Sequence, residues 1–172
     1  YAYVGANERG HFYSEGNYDI LGPPISDGVD EIEWIASQPW SNGNVGMWGT
    51  SYSGFTSLQV ASHRPPHLKA VVPLYATDDR YTDDCHYDRG GNMRMYYDVG
   101  WYGTRMAIWN AMPGDPDSAD ADWARVWEEH LASNTPYQLE WLRHQTDGPY
   151  WRNGSVRDAL QADPRAIACP AF

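Results

Sequence analysis

Basic residues are scarce in this chain: 12 Lys plus Arg face 23 Asp plus Glu, for a formal net charge of -11. An acidic surface repels phosphate backbones and anionic headgroups, so no nucleic acid and no membrane surface is expected as a partner. Long apolar runs are missing too. No stretch of about 18 apolar residues could span a bilayer, and no cationic-then-apolar segment of the signal type is visible. Cysteine is nearly absent. Cys85 and Cys169 form no disulfide framework and stand in no CxxC or metal-ligand spacing, so both read as free thiols, compatible with a reducing, cytoplasmic compartment. The six histidines are scattered; His63 and His67 lie four apart, but Pro65 and Pro66 break the helical face that a zinc pair would need. No metal or other cofactor is expected, and no repeat or low-complexity segment is present.

What the chain does have is enough apolar material for a core. Hydrophobic residues make up 42% and aromatic residues 15% of its 172 positions, which argues against disorder. Both ends read as interior sequence. Tyr1-Ala-Tyr-Val4 resembles the middle of a strand, and Ile167-Ala-Cys-Pro-Ala-Phe172 stops inside another apolar run. The expectation is a window on a longer protein; the oligomeric state is left open.

The periodicity alternates. Asp27 to Gln38 predicts a helix, with Ser26 or Asp27 as its cap, Val29, Ile32, Ile35 and Ala36 along one side, and Pro39 ending it. Ser41-Asn-Gly-Asn44 is a turn, Val45 to Trp48 a short strand, and Ser51 onward a helix with Phe55, Leu58 and Ala61 on one face. Leu68 to Tyr75 is apolar enough for a strand buried on both faces of a parallel sheet. Strand and helix in alternation predict an α/β fold with crossover helices. From Thr77 to about Ala162 the chain turns polar and rich in Asp, Tyr and Trp. Helices are expected at Trp123 to Ser133 and Tyr137 to His144. This reads as a mostly helical insertion, spanning 77–162, between core segments 1–76 and 163–172.

Trp48-Gly-Thr-Ser-Tyr-Ser-Gly54 lies at a strand-to-helix junction. A serine presented there as a nucleophile needs a sharp, strained turn that lifts its hydroxyl above the sheet. Small residues are needed on either side, and Gly49 and Ser53 supply them; the strict G-x-S-x-G form would place Gly at 53. Ser51 is the expected nucleophile. The backbone N–H of Tyr52, at the positive end of the following helix, is the expected oxyanion donor.

Several segments resemble the cocaine-esterase/NonD family of acyl hydrolases, relatives of X-Pro dipeptidyl-peptidases and α-amino-acid ester hydrolases. They are Glu8-Arg-Gly10 with Ser14-Glu-Gly16, Asp27-Gly with Glu33-Trp-Ile35, Gln38-Pro-Trp-Ser-Asn-Gly-Asn-Val-Gly-Met47, Gly49 to Gly54, and Leu68 to Pro73. The likeness is dense up to about Tyr87, and Tyr150-Trp-Arg-Asn-Gly-Ser155 is its clearest later echo. Asn7-Glu8 departs from the Asp-x that usually precedes the Arg-Gly pair. The resemblance implies a partial α/β-hydrolase sheet with a helical cap inserted after strand six. Tyr1 to Gly5 would be the fourth strand and Ile167 onward the seventh. It implies an acid and a histidine beyond Phe172, and a tyrosine hydroxyl as second oxyanion donor before Tyr1.

None of the six histidines is assigned a catalytic role. Of the acidic residues Asp78, Asp79, Asp83 and Asp84, the resemblance offers Asp83 and Asp84 as holders of a substrate ammonium group; a solvated acidic loop explains them as well. The implied activity is cleavage of a small-molecule ester, or of an amide or peptide-like substrate, through an acyl-enzyme. A dipeptidyl-peptidase or amino-acid ester hydrolase is the alternative, and a non-catalytic binding domain on the same scaffold is a further one. The piece alone is expected to be inactive.

Overall fold

The computed structural model describes residues 1–18, 25–82, 87, 91–115, 117 and 122–172. In chain order its elements are α1 (Ile25–Ser37), β1 (Val45–Thr50), α2 (Tyr52–Ser62) and β2 (Leu68–Leu74). A π-helix (Tyr96–Gly103) follows, then α3 (Thr104–Asn110), α4 (Trp123–Ser133), α5 (Tyr137–Arg143), α6 (Pro149–Arg152) and α7 (Arg157–Ala162). Contacts divide the chain into two compact units. One comprises Pro24–Asp83 with Asp147–Phe172, the other Tyr1–Pro23 with Asp84–Thr146.

The first unit is an α/β layer built on a two-stranded parallel sheet. β1 and β2 pair in parallel, from Val45 beside Leu68 to Thr50 beside Leu74. A parallel pair needs a crossover, and α2 provides it. Ile32 of α1, Val60 and Ala61 of α2, and Val45, Leu68 and Val71 of the strands form one buried cluster. Val29, Ile35 and Ala36 pack against it, the stripe that the helical spacing of α1 predicts. α1 begins at Ile25, one residue before Ser26 and two before Asp27, the expected caps, which leaves Asp27 in its first turn at the positive end of the dipole.

Burial on both faces of β2 is not observed. Val71 is fully buried, yet Leu74 is 42% exposed, and Trp48 on β1 is 62% exposed. α1 and α2 cover the face that carries Val45, Met47 and Val71. The returning chain adds to the free edge of β2: Ala171 bridges Val71 in parallel, and the Phe172 amide donates to the Val71 carbonyl at 3.1 Å. The strand expected from Ile167 onward is not formed; this single bridge is the ladder contact made there.

The second unit is helical. α4 runs over Trp123–Ser133, and Trp123 and Trp127 stack with ring centroids 6.2 Å apart. Trp141 on α5 is fully buried, and its carbonyl accepts from the Tyr87 hydroxyl at 3.1 Å. Tyr1 to Gly5 forms no strand. Tyr1 and Tyr3 are exposed and no described strand lies beside them; without a ladder partner an extended segment does not hold as a strand. No helix among the described residues is long and apolar enough to cross a membrane.

Candidate active site

β1 ends at Thr50, α2 begins at Tyr52, and Ser51 alone makes the turn between them. Its backbone sits at φ 60°, ψ -119°, a left-handed conformation that costs a non-glycine residue about 1–3 kcal/mol. Neighbouring hydrogen bonds hold it there. The Ser51 amide donates to the Leu74 carbonyl at the end of β2 (2.8 Å), and the Ser51 carbonyl accepts from Gly54 (2.8 Å) and Phe55 (3.0 Å). The side chain is half-buried at the carboxyl end of both strands, where parallel α/β sheets bind their ligands.

The turn is sterically exacting. A Cβ on Gly49 would lie 2.3 Å from the Ser53 Cβ and 2.6 Å from its carbonyl carbon. A Cβ on Gly54 would lie 2.8 Å from the Leu74 carbonyl oxygen and 3.1 Å from the Ala76 Cβ. Strand and helix therefore approach to backbone contact on both sides of the serine. Ser53 fits because Gly49 leaves it the space, so the departure from G-x-S-x-G is absorbed by the glycine that remains. Tyr52 opens α2, an eleven-residue helix, so its amide lies at the positive end of the dipole.

The loop leaving β2 is built as firmly as the turn. Arg80 places its guanidinium 4.0 Å above the Phe55 ring of α2. Asp79 is buried; its carboxylate accepts from the Tyr81 amide (3.0 Å), the Thr82 hydroxyl (2.7 Å) and Arg157 Nη1 (2.7 Å). Burial alone would raise its pKa, but the Thr82 and Tyr81 hydrogen bonds and the Arg157 charge outweigh it and hold the carboxyl below its ordinary value. Asp78 is exposed and contributes its carbonyl, which accepts from the Val156 and Arg157 amides at 2.9 Å each. Asp83 and Asp84 lie outside the described residues, as do Cys85 and His86.

Of the described histidines, His63 and His67 share this unit with Ser51. His63 caps the far end of α2, about 18 Å along the helix from Ser51 at the usual rise. His67 Nδ1 is 2.6 Å from Glu33 Oε2. His11, His130 and His144 belong to the other unit. His130 is buried, with Nε2 3.0 Å from the Ser14 carbonyl. Cys169 is a free thiol whose pKa burial raises, unlike an activated nucleophile. A cavity of about 360 Å³ lies at the opposite end of β2, between Arg64, Pro66, Leu68, Lys69 and Cys169, and no residue of the serine turn lines it. Among the described residues no cluster of three metal-ligating side chains occurs.

Sequence reasoning missed Arg157. It lies 78 positions from Asp79, and no local pattern links the two; the echo at Tyr150 to Ser155, just upstream, was the only pointer. Two tryptophans assigned to the inserted segment prove to be packing residues, Trp141 and Trp151 both being fully buried.

A parallel sheet flanked by helices, with a strained serine between strand and helix, defines a member of the α/β-hydrolase class. The chain belongs to the X-Pro dipeptidyl-peptidase (S15) family, whose profile matches residues 1–172. It is 39% identical over 101 residues to the cocaine esterase of Rhodococcus sp. (strain MB1 Bresler), a match covering 59% of this chain and 17% of the esterase. Its fold superposes with a TM-score of 0.64 on a CocE/NonD family hydrolase from Staphylococcus aureus, at 27% identity, covering 95% of this chain and 25% of that one. An aminopeptidase from a marine sediment Thaumarchaeota archaeon superposes at 0.67 with 23% identity, covering 95% and 30%, a likeness of fold. The chain thus spans less than a third of the length of these proteins.

Proposed function

We propose that this chain carries the nucleophile of a serine hydrolase and that Ser51 attacks the carbonyl of an ester. One observation carries the reading: Ser51 is held in a strained left-handed conformation at the only residue between a parallel strand and its crossover helix. Strain kept in place by surrounding hydrogen bonds is characteristic of functional turns. In the reaction, Ser51 Oγ attacks as a histidine takes its proton. The Tyr52 amide stabilises the oxyanion; its collapse breaks the ester C–O bond and the alcohol leaves with the histidine's proton. Water, deprotonated by the same histidine, then hydrolyses the acyl-enzyme to the acid and restores Ser51. By resemblance the histidine and its acid belong to chain outside these 172 residues. The catalytic core is then interrupted by a helical insertion, mapped from the sequence to 77–162.

A fluorophosphonate probe tests this. Applied to the full-length protein, it should label wild type stoichiometrically and leave Ser51→Ala unlabelled, with ester turnover reduced by about 10³-fold or more in that variant. Absence of labelling in wild type would mean a binding domain on a hydrolase scaffold.

The second reading is cleavage after a penultimate proline, favoured by the family description. It needs a carboxylate to hold the substrate amine, a role open to Asp83 or Asp84. A Gly-Pro p-nitroanilide hydrolysed better than a p-nitrophenyl ester, with the preference lost in Asp84→Asn or Asp83→Asn, would select it.

A further inference from the structure

We propose that Arg157 and Asp79 are positioning residues for the Ser51 site: their ion pair clamps the loop that leaves β2 into the wall beside the nucleophile. This rests on the reading of Ser51 as the reacting group. The loop begins against the serine turn. The Leu74 carbonyl holds the Ser51 amide at 2.8 Å, and Ala76 packs where a Cβ on Gly54 would come within 3.1 Å. Three residues further on, Asp79 is taken by Arg157, in a pair whose side chains are only 10% and 17% exposed.

The guanidinium does more than neutralise one carboxylate. Its Nη2 donates to both oxygens of Asp147, at 3.3 and 3.2 Å, and Nε lies 3.4 Å from Asp158. Asp79 lies just before the point where the chain leaves this unit, after Asp83, and Asp147 is the residue at which it returns. One side chain therefore ties the outgoing and returning segments together. The backbone repeats the tie. The Val156 and Arg157 amides donate to the Asp78 carbonyl, and the Arg80 amide donates to Ser155 Oγ at 2.8 Å. On the opposite side α2 grips the same structure: Arg80 lies over Phe55, and Gln59 Nε2 donates to the Gly154 carbonyl at 2.7 Å.

Helix α2 thus holds both the nucleophile and the loop, while Arg157 supplies the loop's second anchor. The hydrogen bonds of Ser51 to Leu74, Gly54 and Phe55 involve neither Arg157 nor Asp79. Loss of the clamp should therefore move the wall and spare the nucleophile. Substrates large enough to touch the wall suffer, and small ones do not. Arginine is required because a planar fork reaches Asp79 and Asp147 together, whereas a lysine ammonium is a single point charge.

The test compares Arg157→Gln, Arg157→Lys and the isosteric Asp79→Asn in the full-length protein, with p-nitrophenyl acetate and p-nitrophenyl benzoate as small and bulky esters. Expected is a rise of about tenfold in KM for the benzoate in Arg157→Gln, with kcat, acetate KM and the fluorophosphonate labelling rate within about twofold. Asp79→Asn should act in the same direction and Arg157→Lys should restore only part of the loss. Hydrogen exchange should show the amides of Arg80, Tyr81, Val156 and Arg157 losing protection in the same variants. Unchanged benzoate KM with protection retained, or a parallel fall in labelling and both turnovers, would overturn the proposal. If wild type neither labels nor hydrolyses either ester, the hydrolase reading fails, and retained protection in Arg157→Gln would overturn the clamp itself.

Discussion

Ser51 is the residue on which local and tertiary constraints converge, and the glycines around it show how little room the turn has. Gly49→Ala would set a methyl 2.3 Å from the Ser53 Cβ and 2.6–2.7 Å from Ser53 backbone atoms. We expect this variant to lose fluorophosphonate labelling by at least about tenfold. Adding Ser53→Gly should restore only part of it, because the backbone contacts remain when the side-chain contact is removed. Single residues also set one pH dependence. Burial, reinforced by the charge of His130, lowers the His11 pKa from its ordinary value. The folded form therefore resists a proton that the unfolded chain accepts near pH 6.5. The sign follows: above that pH neither state is protonated and stability is unaffected. As pH falls through it the unfolded state gains protons and stability drops. Urea midpoints between pH 8 and pH 5 should fall for wild type and fall less for His11→Gln.

At the level of elements, hydrophobic spacing located α1, β1, α2, β2 and α4, because each carries its own period and its own stop. Pro39 closes the region of α1, the Ser41–Asn44 turn precedes β1, and Pro65 follows α2. Tyr1 to Gly5 is the counterexample. Its residues favour a strand, but β structure is completed by a neighbour, and propensity does not supply one. The short helix α6 shows the reverse. Four residues, Pro149–Arg152, make a weak helix by any local measure, yet Trp151 within it is fully buried. It packs against Tyr81 (ring centroids 6.0 Å apart) and Tyr150 (5.0 Å). Trp151→Ala should cost about 3–5 kcal/mol in denaturant unfolding, the usual penalty for emptying a large aromatic site. A loss below 1 kcal/mol would mean that the segment is peripheral to the core.

At the scale of the molecule, the described sheet has one face covered and one exposed, with Trp48 and Leu74 on strands whose apolar character suits burial on both sides. We expect the 172 residues alone to turn over little or no ester, because the reading of Ser51 takes its base from elsewhere in a longer protein. Assay of the isolated 172-residue chain beside the full-length protein checks it. Turnover by the short chain within about tenfold of the longer one would require a base among the residues here.

The sequence by itself determined the α/β rhythm, the position of the serine turn and the small residues that permit it. These depend on neighbours a few positions apart, and periodicity, capping and steric bulk act over that range. Only the tertiary structure decided that Asp79 is a buried, paired carboxylate rather than part of a solvated acidic loop, and that Arg157 closes the wall beside Ser51. The physical reason is that an ion pair between distant positions leaves no periodic trace in the chain. Its partners meet only because β2, α2 and the returning segment have already packed.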